Sequence, residues 1–215
     1  MRVLLLRWFR SHARDFPWRR TSDPYRILLA EIMLRRTRAE QVVPVYTSFV
    51  QRFPDIRALS AADAAEIRRL LRPLGLERRA REVVLLAQVL TDRGEDALHG
   101  EHLAGLPGVG PYVASAVRCF AWGERAVLVD AGTSRIACRL FGLRPRGEAR
   151  RSRQVVGALD RIVGNGPARE INLALIDLGA LVCRPKKPLC TVCPLVQMCN
   201  HGRRLNLRGA EARGF

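Results

Sequence analysis

Residues 106–117 read LPGVGPYVASAV, a turn with two glycines that runs directly into an apolar segment. Gly108 and Gly110 allow the backbone to turn tightly and to approach a phosphate closely, because neither residue carries a Cβ atom. The amides of such a turn, together with the N-terminus of the next helix, can bind an anion. Pro111 is well suited to the first turn of that helix. An ordinary turn between two helices is the alternative interpretation.

Helical periodicity extends to both sides of this turn, because apolar residues recur at intervals of three and four through most of the chain. Pro44 predicts a break, or the first turn of a second helix, within the first long helical segment. Ser60 and Asp63 resemble a capping box that opens a helix. The chain is therefore predicted to be all-α, with about ten helices joined by short turns. The main expected helices cover residues 24–53, 78–90, 96–103, 111–122, 131–141, 148–163 and 167–182.

The charge of the chain predicts a polyanionic partner. The formal net charge is +17 and the isoelectric point is near 11.3. Basic side chains that meet phosphates release condensed counterions, which favours nucleic-acid binding. The basic residues are spread through patterned segments, as in a folded DNA-binding protein. An arginine-rich protein from a biased genome, a ribosomal protein and a membrane-surface protein are the alternatives. No membrane span or export signal is recognisable, so we expect a cytoplasmic protein.

Four cysteines lie within 17 residues near the C-terminus, in the pattern Cys183-x6-Cys190-x2-Cys193-x5-Cys199. Four thiolates form a closed ligand set for a metal. Zinc sites usually contain two closely spaced pairs, whereas only one such pair is present here. Iron–sulfur clusters use four cysteines with other spacings as well. Disulfides are a third interpretation, although cytosolic thiols stay reduced. The spacing alone leaves all three open.

Six segments, in this order, resemble the helix-hairpin-helix DNA glycosylases of the endonuclease III and MutY type. They read RDFPWR, DPYRILLAEIMLRRT, GLERRA, LPGVGPYVASAV, LVDAG and the cysteine array, and they span about residues 8–200. The resemblance implies a two-lobed all-α fold, with a six-helix barrel over residues 22–124. Residues 1–21 and 125–215 would form the second lobe, with a [4Fe–4S] cluster in the loop 183–199. A cleft between the lobes would accept an extruded nucleotide.

The resemblance also assigns the catalytic side chains. Asp130 matches the aspartate that stabilises the cationic sugar and assists attack at the anomeric carbon. The other interpretation is that Asp130 is an ordinary helix N-cap, and the two roles are compatible. Glu31 matches the glutamate that hydrogen-bonds or protonates the departing base, although it could instead be a surface residue. Tyr112 stands where the endonuclease III branch carries a Schiff-base lysine. A phenol cannot form an imine, so we expect a monofunctional enzyme.

Within the family, Tyr112 together with the pair Arg35-Arg36 most resembles the thymine-DNA mismatch glycosylase branch. That likeness implies removal of thymine or uracil opposite guanine, with Tyr112 against the flipped pyrimidine. An adenine glycosylase acting opposite oxidised guanine is the alternative, and the 16 residues after Cys199 would not accommodate its further domain. The segment 132–134 departs from the strings typical of either branch. A non-catalytic iron–sulfur DNA-binding protein is the alternative from another class.

The expected partner is double-stranded DNA containing a mismatched or damaged base, bound by a monomer. Arg36 would enter the gap left in the base stack, or only meet a phosphate, and Leu76 would wedge from the other side, or only pack in its turn. The remaining expected DNA contacts come from Arg35, Gly108, Gly110, Arg184, Lys186 and Lys187. The last two are the only lysines of the chain.

Overall fold

The computed structural model describes residues 1–75 and 77–204, with side chains at all of these except residues 77, 78 and 95. The described residues form helices and no strand, as predicted for an all-α chain. None of the described helices combines the length and the apolar character that a membrane span requires. Leu76, the predicted wedge, lies outside the described residues.

Two compact units are present. We call Asp15–Glu124 the hairpin unit, and we call Met1–Arg14 together with the residues from Arg125 onward the cysteine unit. The predicted lobes differ from this division over residues 15–21. In chain order the α-helices are α1 (Arg2–His12), α2 (Pro24–Leu34), α3 (Ala39–Arg52), α4 (Ile56–Ser60), α5 (Ala64–Leu71), α6 (Glu77–Arg93), α7 (Pro111–Trp122), α8 (Ala131–Phe141), α9 (Arg153–Val163) and α10 (Ala168–Leu181).

In the hairpin unit, α2 packs along α7 and α3, and α6 packs against α4 and α5. Leu28, Phe49 and Leu86 are fully buried between these helices. Helix α2 begins where the sequence predicts, because the Asp23 carboxylate accepts hydrogen bonds from the amides of Tyr25 and Arg26. Such a cap satisfies amides that have no partner within the helix. This start fixes the register of the helix that carries Glu31.

Four predicted helix boundaries are wrong. Pro44 lies inside α3 and does not open a helix; α3 begins at Ala39, after a turn at residues 35–38. Pro44 is the sixth residue of α3, so it removes the hydrogen bond to the carbonyl four residues earlier and crowds that carbonyl, but the helix continues through it. The start of α5 is capped by Asp63, which accepts from the Ala65 amide, whereas Ser60 ends α4.

The third difference concerns residues 96–103, for which the periodicity predicts one helix. They belong to two 3-10 helices, Glu95–Leu98 and Gly100–Gly105, separated by the extended residue His99. Gly100 adopts a φ of 53°, in the left-handed region that a regular helix does not use. A short 3-10 helix thus precedes the glycine turn, and α7 follows it. The fourth difference concerns the helix predicted over residues 148–163: Ala149–Arg151 form a separate 3-10 helix, the extended residue Ser152 follows, and α9 begins only at Arg153.

In the cysteine unit, α10 packs against α1, α8 and α9. Its core includes Leu140, Ile162 and Leu175, all almost fully buried. A buried ion pair attaches the N-terminal segment to α10. The Arg14 backbone amide and Nε donate to the Asp177 carboxylate at 3.0 and 2.7 Å, and Asp177 has no exposed surface. These contacts fix α10, which in turn supports the start of α8.

Candidate functional site

Asp130 is the N-cap of α8, as predicted. Its Oδ1 accepts a hydrogen bond from the Thr133 amide at 2.6 Å, and the Asp130 amide donates to Thr133 Oγ1 at 2.9 Å. This reciprocal pair is a capping box with threonine in the place of the usual glutamate. Oδ2 has no hydrogen-bond partner among the described residues, and the side chain is partly exposed. One oxygen of the carboxylate is therefore held, and the other remains available.

The segment that leads into Asp130 is held by a buried side-chain amide from α10. Asn172 Nδ2 donates to the Ala126 carbonyl at 2.8 Å, and Asn172 Oδ1 accepts from the Leu128 amide at 3.1 Å. The Leu128 carbonyl also accepts a hydrogen bond from the Thr133 hydroxyl at 3.0 Å. The run 127–129 thus belongs to neither a helix nor a strand, and a side-chain amide from α10 binds backbone groups of this segment.

The first turn of α8 lies directly on α10. A Cβ atom at Gly179 would lie 3.2 Å from the Cα atom of Gly132, so only glycine allows this approach without a shift. Arg135 strengthens the junction, because its guanidinium donates to the carbonyl oxygens of Ala131, Gly179 and Cys183. The residues that follow Asp130 are therefore fixed by α10 and by the start of the cysteine loop.

Glu31 and Tyr112 lie in the hairpin unit, on helices that pack against each other. Glu31 is on α2 and is only 8% exposed among apolar residues, so it is not a surface residue. Tyr112 is the second residue of α7 and is partly exposed. A buried carboxylate normally has a compensating partner or a function, since burial without one is costly. The site therefore offers a buried acid on α2 and an aromatic ring at the start of α7.

The glycine turn adopts the conformation that its sequence predicts. Gly108 has a φ of 77°, and the Val109 amide donates to the Leu106 carbonyl at 3.0 Å. Leu106 and Val109 are buried, which anchors the turn to the core of the hairpin unit. No hydrogen bond is found for the amides of Gly108 and Gly110 in the described part of the chain. These amides and the N-terminus of α7 are available to an anion.

The turn between α2 and α3 contains the predicted DNA-contacting pair, and its two arginines differ. Arg36 is exposed, has a φ of 60° and has no hydrogen bond or ion pair with the described residues. Arg35 is bound within the protein: its Nη1 donates to Glu82 Oε2 at 2.6 Å and to the Gly108 carbonyl at 3.2 Å. Of this pair, only Arg36 presents a fully available guanidinium.

A buried arginine supports the same turn from α6. Arg79 is 4% exposed, and its Nη1 donates to the Met33 carbonyl at 2.7 Å and to Thr37 Oγ1 at 3.0 Å. Burial, together with the smaller effect of the Arg35 charge, lowers the pKa of Arg79 to about 10, and the charge of Glu82 opposes this shift. Its guanidinium nevertheless remains protonated at neutral pH.

The four cysteines of the C-terminal array line one cavity with an empty volume of about 290 Å³, and none is in a disulfide. Burial, with smaller effects of the other three thiols, raises the pKa of the Cys193 thiol to about 11, and a backbone hydrogen bond at Leu195 opposes this shift. Among the described residues, no group of three or more His, Cys, Asp or Glu side chains is arranged to hold a metal ion. The thiols thus share a cavity without converging on one point.

The loop after Cys183 is held by α8 and carries the predicted basic side chains. Arg139 Nη1 donates to the Arg184 carbonyl at 2.6 Å, and Arg139 Nη2 donates to the Pro185 carbonyl at 2.7 Å. Lys186 and Lys187 are exposed. The backbone of the loop is therefore fixed while its lysines face solvent.

Several supporting residues were not predicted from the sequence. Asn172 and Asp177 are polar residues within an apolar helix, and that signal could have identified both as buried and bonded. Arg79, Glu82 and Arg135 belong to a chain rich in charged residues, where a single charged side chain carries no recognisable signal. Apart from Ala131, the hydrogen-bond partners named above for these three residues lie 42 to 48 positions away in the sequence.

Comparison with known proteins assigns the family. Residues 29–158 match the model of the HhH-GPD superfamily of base excision DNA repair proteins. The thymine-DNA glycosylase of Aeropyrum pernix is 39% identical over 206 residues, covering 93% of this chain and 92% of the relative. The adenine DNA glycosylase of Mycobacterium tuberculosis is 35% identical over 195 residues, covering 89% of this chain and 64% of that longer protein.

Among solved structures, that of a thermostable thymine-DNA glycosylase superposes with a TM-score of 0.83 at 32% identity, covering 94% of this chain and 95% of the other. The chain therefore belongs to the HhH-GPD superfamily of base excision DNA repair proteins, and its enzyme class is DNA glycosylase. The predicted family and fold are confirmed.

Proposed function

We propose that this protein is a monofunctional glycosylase that hydrolyses the bond between deoxyribose and a mismatched thymine or uracil opposite guanine. One observation carries the reaction. Asp130 has one carboxylate oxygen fixed by its own helix and the other without a partner among the described residues. Such a carboxylate is pre-organised to stabilise positive charge, which develops on the sugar as the base departs.

In the proposed reaction, the target nucleotide leaves the base stack, because the anomeric carbon is inaccessible within a duplex. The glycosidic bond breaks, and its electron pair goes to the base. Asp130 Oδ2 stabilises the cationic sugar and orients a water molecule, whose oxygen bonds to the anomeric carbon. The proton released from water completes the products, an abasic site and a free base. Buried Glu31 hydrogen-bonds the departing base, or it gives the base this proton and regains one from the attacking water.

The absence of strand cleavage follows from the amines that the chain contains. A glycosylase that also cuts the strand needs an amine to form an imine with the sugar. Tyr112 occupies the position of that amine in the endonuclease III branch, and a phenol cannot replace it. Besides the N-terminal amine, the only amines of the chain are its two lysines, both in the cysteine loop, where four consecutive residues from 184 to 187 are exposed.

Two observations support thymine or uracil as the substrate base: the position of Tyr112 and the similarity to relatives named thymine-DNA glycosylases. An aromatic ring at the start of α7 can stack on a flipped pyrimidine. Uracil differs from thymine only by lacking the 5-methyl group, so a pocket that admits thymine also has room for uracil. Adenine opposite oxidised guanine is the second candidate, because an adenine glycosylase is similar over 89% of this chain.

A panel of duplexes tests this proposal. Each duplex carries thymine, uracil, adenine or an oxidised base opposite each of the four partners. Alkali follows the reaction, because a monofunctional enzyme leaves the strand intact. We expect product from thymine and uracil opposite guanine. Release of adenine alone would refute the assignment of Tyr112 and favour the second candidate.

DNA contacts are proposed for both units separately. In the hairpin unit, the amides of Gly108 and Gly110 would bind a phosphate, and Arg36 would enter the gap in the stack. In the cysteine unit, Lys186 and Lys187 would bind phosphates, together with Arg184. The net charge of +17 supports these contacts, since neutralised phosphates release counterions.

We also propose that Cys183, Cys190, Cys193 and Cys199 hold a [4Fe–4S] cluster. The donor set fits this group, because four reduced thiols line one cavity. Their arrangement suits a single zinc ion less well, since one ion requires its sulfurs about 2.3 Å from a common point. A cluster distributes its thiolates over several metal atoms. When bound, it would cross-link the basic loop, and no ligand position would remain open for a substrate.

Purified protein tests the cluster directly. We expect a brown protein that contains iron and acid-labile sulfide and absorbs visible light. Cys193→Ser should lose most of this absorption. Cys119→Ser should retain it, because Cys119 lies in α7 of the hairpin unit and does not belong to the cysteine array. A colourless protein that contains zinc would contradict the proposal.

A further inference from the structure

The turn that carries Arg36 has a strained backbone. Arg36 has the only positive φ angle found for a non-glycine residue in the described part of the chain. Side chains other than glycine rarely adopt this conformation, because the Cβ atom crowds the following carbonyl group. Such a conformation persists where surrounding contacts impose it, and it is frequent in segments that grip ligands.

Contacts on both sides of Arg36 impose this conformation. The buried guanidinium of Arg79 binds the carbonyl of Met33 and the hydroxyl of Thr37, at 2.7 and 3.0 Å. Both partners belong to the segment that flanks Arg36. The end of α2 and the residue after Arg36 are thereby attached to one rigid point on α6.

Glu82 attaches the turn to the glycine hairpin. Its Oε2 accepts from Arg35 Nη1 at 2.6 Å, and the same Nη1 donates to the Gly108 carbonyl at 3.2 Å. The side chain of Glu82 is 15% exposed, against 40% for that of Arg35. Glu82 also packs on the hairpin, since a Cβ atom at Gly108 would lie 3.2 Å from the Cβ atom and Oε2 of Glu82. One carboxylate therefore contacts both DNA-facing turns of this unit.

We propose that Glu82 is a positioning residue: by holding Arg35 against the hairpin, it sets the orientation in which Arg36 meets DNA. Arg35 is then a structural bridge and not a phosphate ligand. This inference depends on the proposed function, in which Arg36 enters the duplex at the mismatch. A carboxylate near bound DNA otherwise opposes binding, because it repels phosphates.

This role predicts an unusual pair of effects for Glu82→Gln, a substitution that preserves shape and removes one charge. Affinity for a matched G·C duplex should stay the same or rise, because a negative charge is removed. The preference for a G·T duplex over the matched duplex should fall about tenfold, as expected when one charged hydrogen bond is broken. A purely structural defect would weaken binding to both duplexes.

A double-mutant cycle with Arg36→Gly tests whether Glu82 acts through Arg36. Glycine adopts a φ of 60° without strain, so this substitution removes the side chain and keeps the turn. In the Arg36→Gly background, Glu82→Gln should change the G·T preference by less than about twofold, since coupled residues are non-additive. Equal effects of Glu82→Gln in both backgrounds would overturn the inference.

Two further variants complete the test. Glu66→Gln is the matched control, because Glu66 forms an ion pair of similar geometry with Arg52, at 2.7 Å, in the same unit. It should leave the G·T preference unchanged. Arg35→Gln should lower the G·T preference as Glu82→Gln does, although it also removes a positive charge, and it provides the measurement if Glu82→Gln fails to fold. A wild-type protein without preference for G·T would instead refute the proposed function, so the two failures are distinguishable.

Discussion

Substitutions at Asp130 separate its two roles, helix cap and catalytic carboxylate. Asparagine caps helices about as well as aspartate, because its side-chain oxygen can also accept from the Thr133 amide. The free energy of unfolding of Asp130→Asn should therefore lie within about 0.5 kcal/mol of the wild-type value. Asp130→Ala loses the cap, which costs about 1 kcal/mol. For a chain of this size, that cost lowers the melting temperature by about 2–4 °C.

Activity should follow a different order. The cationic sugar needs a negative charge, which neither asparagine nor alanine supplies. Both variants should therefore lose base release by a factor on the order of 10²–10³ or more, as when a main electrostatic contact is removed. The assay is single-turnover release from a G·T duplex, with DNA binding measured in parallel. Asp130→Asn activity above about a tenth of the wild type would refute the catalytic assignment, because the roughly 1.4 kcal/mol that a tenfold change represents is too small for that role.

Thr133→Val provides the converse control. It removes the hydroxyl that accepts from the Asp130 amide and donates to the Leu128 carbonyl, at 2.9 and 3.0 Å. Two hydrogen bonds are removed while the carboxylate remains, so stability should fall by about 1–2 kcal/mol. Base release should fall less than tenfold. A loss as large as that of Asp130→Asn would mean that the cap geometry, and not the charge, determines the rate.

Three further predictions concern other residues of the cysteine unit. The Ser134 hydroxyl is buried without a hydrogen-bond partner in the described residues. Ser134→Ala should therefore unfold at the same or a higher denaturant concentration, with a free energy of unfolding up to about 1 kcal/mol larger. A clear loss of stability would contradict this prediction. Asn172→Ala removes the bonds to the Ala126 carbonyl and the Leu128 amide and should cost about 3 kcal/mol in denaturant unfolding. Replacing Lys186 and Lys187 by alanine should make the plot of log affinity against log salt concentration less steep, by about 0.9 for each phosphate that is no longer neutralised. An unchanged slope would show that neither lysine binds a phosphate.

The local features of the chain were predictable from the sequence. The Asp23 cap, the start of α8 at Ala131 and the turn at Gly108 each depend on a few neighbouring residues, and these appear in the structure as predicted. The buried position of Glu31 was also predictable, since a lone acid within an apolar helical segment has little access to water.

Features that depend on distant residues were not predictable in the same way. Arg35 was expected to contact DNA, but its guanidinium is bound to Glu82, 47 residues away, and to the carbonyl of Gly108, 73 residues away. The run 127–129 is held by Asn172, which lies in α10. No local pattern encodes such pairs, because each arises only when helices pack. The turn at residues 35–38 was not predictable for a related reason: Arg79 imposes it from α6.

The most direct test of the account is the chemical identity of the products from a G·T duplex under single-turnover conditions. We predict free thymine, detected by chromatography, together with a strand that stays intact until alkali is added. Borohydride during the reaction should trap no covalent complex. An intact duplex that retains its thymine, or a strand cleaved before alkali with a trapped complex, would contradict the proposed hydrolysis by Asp130.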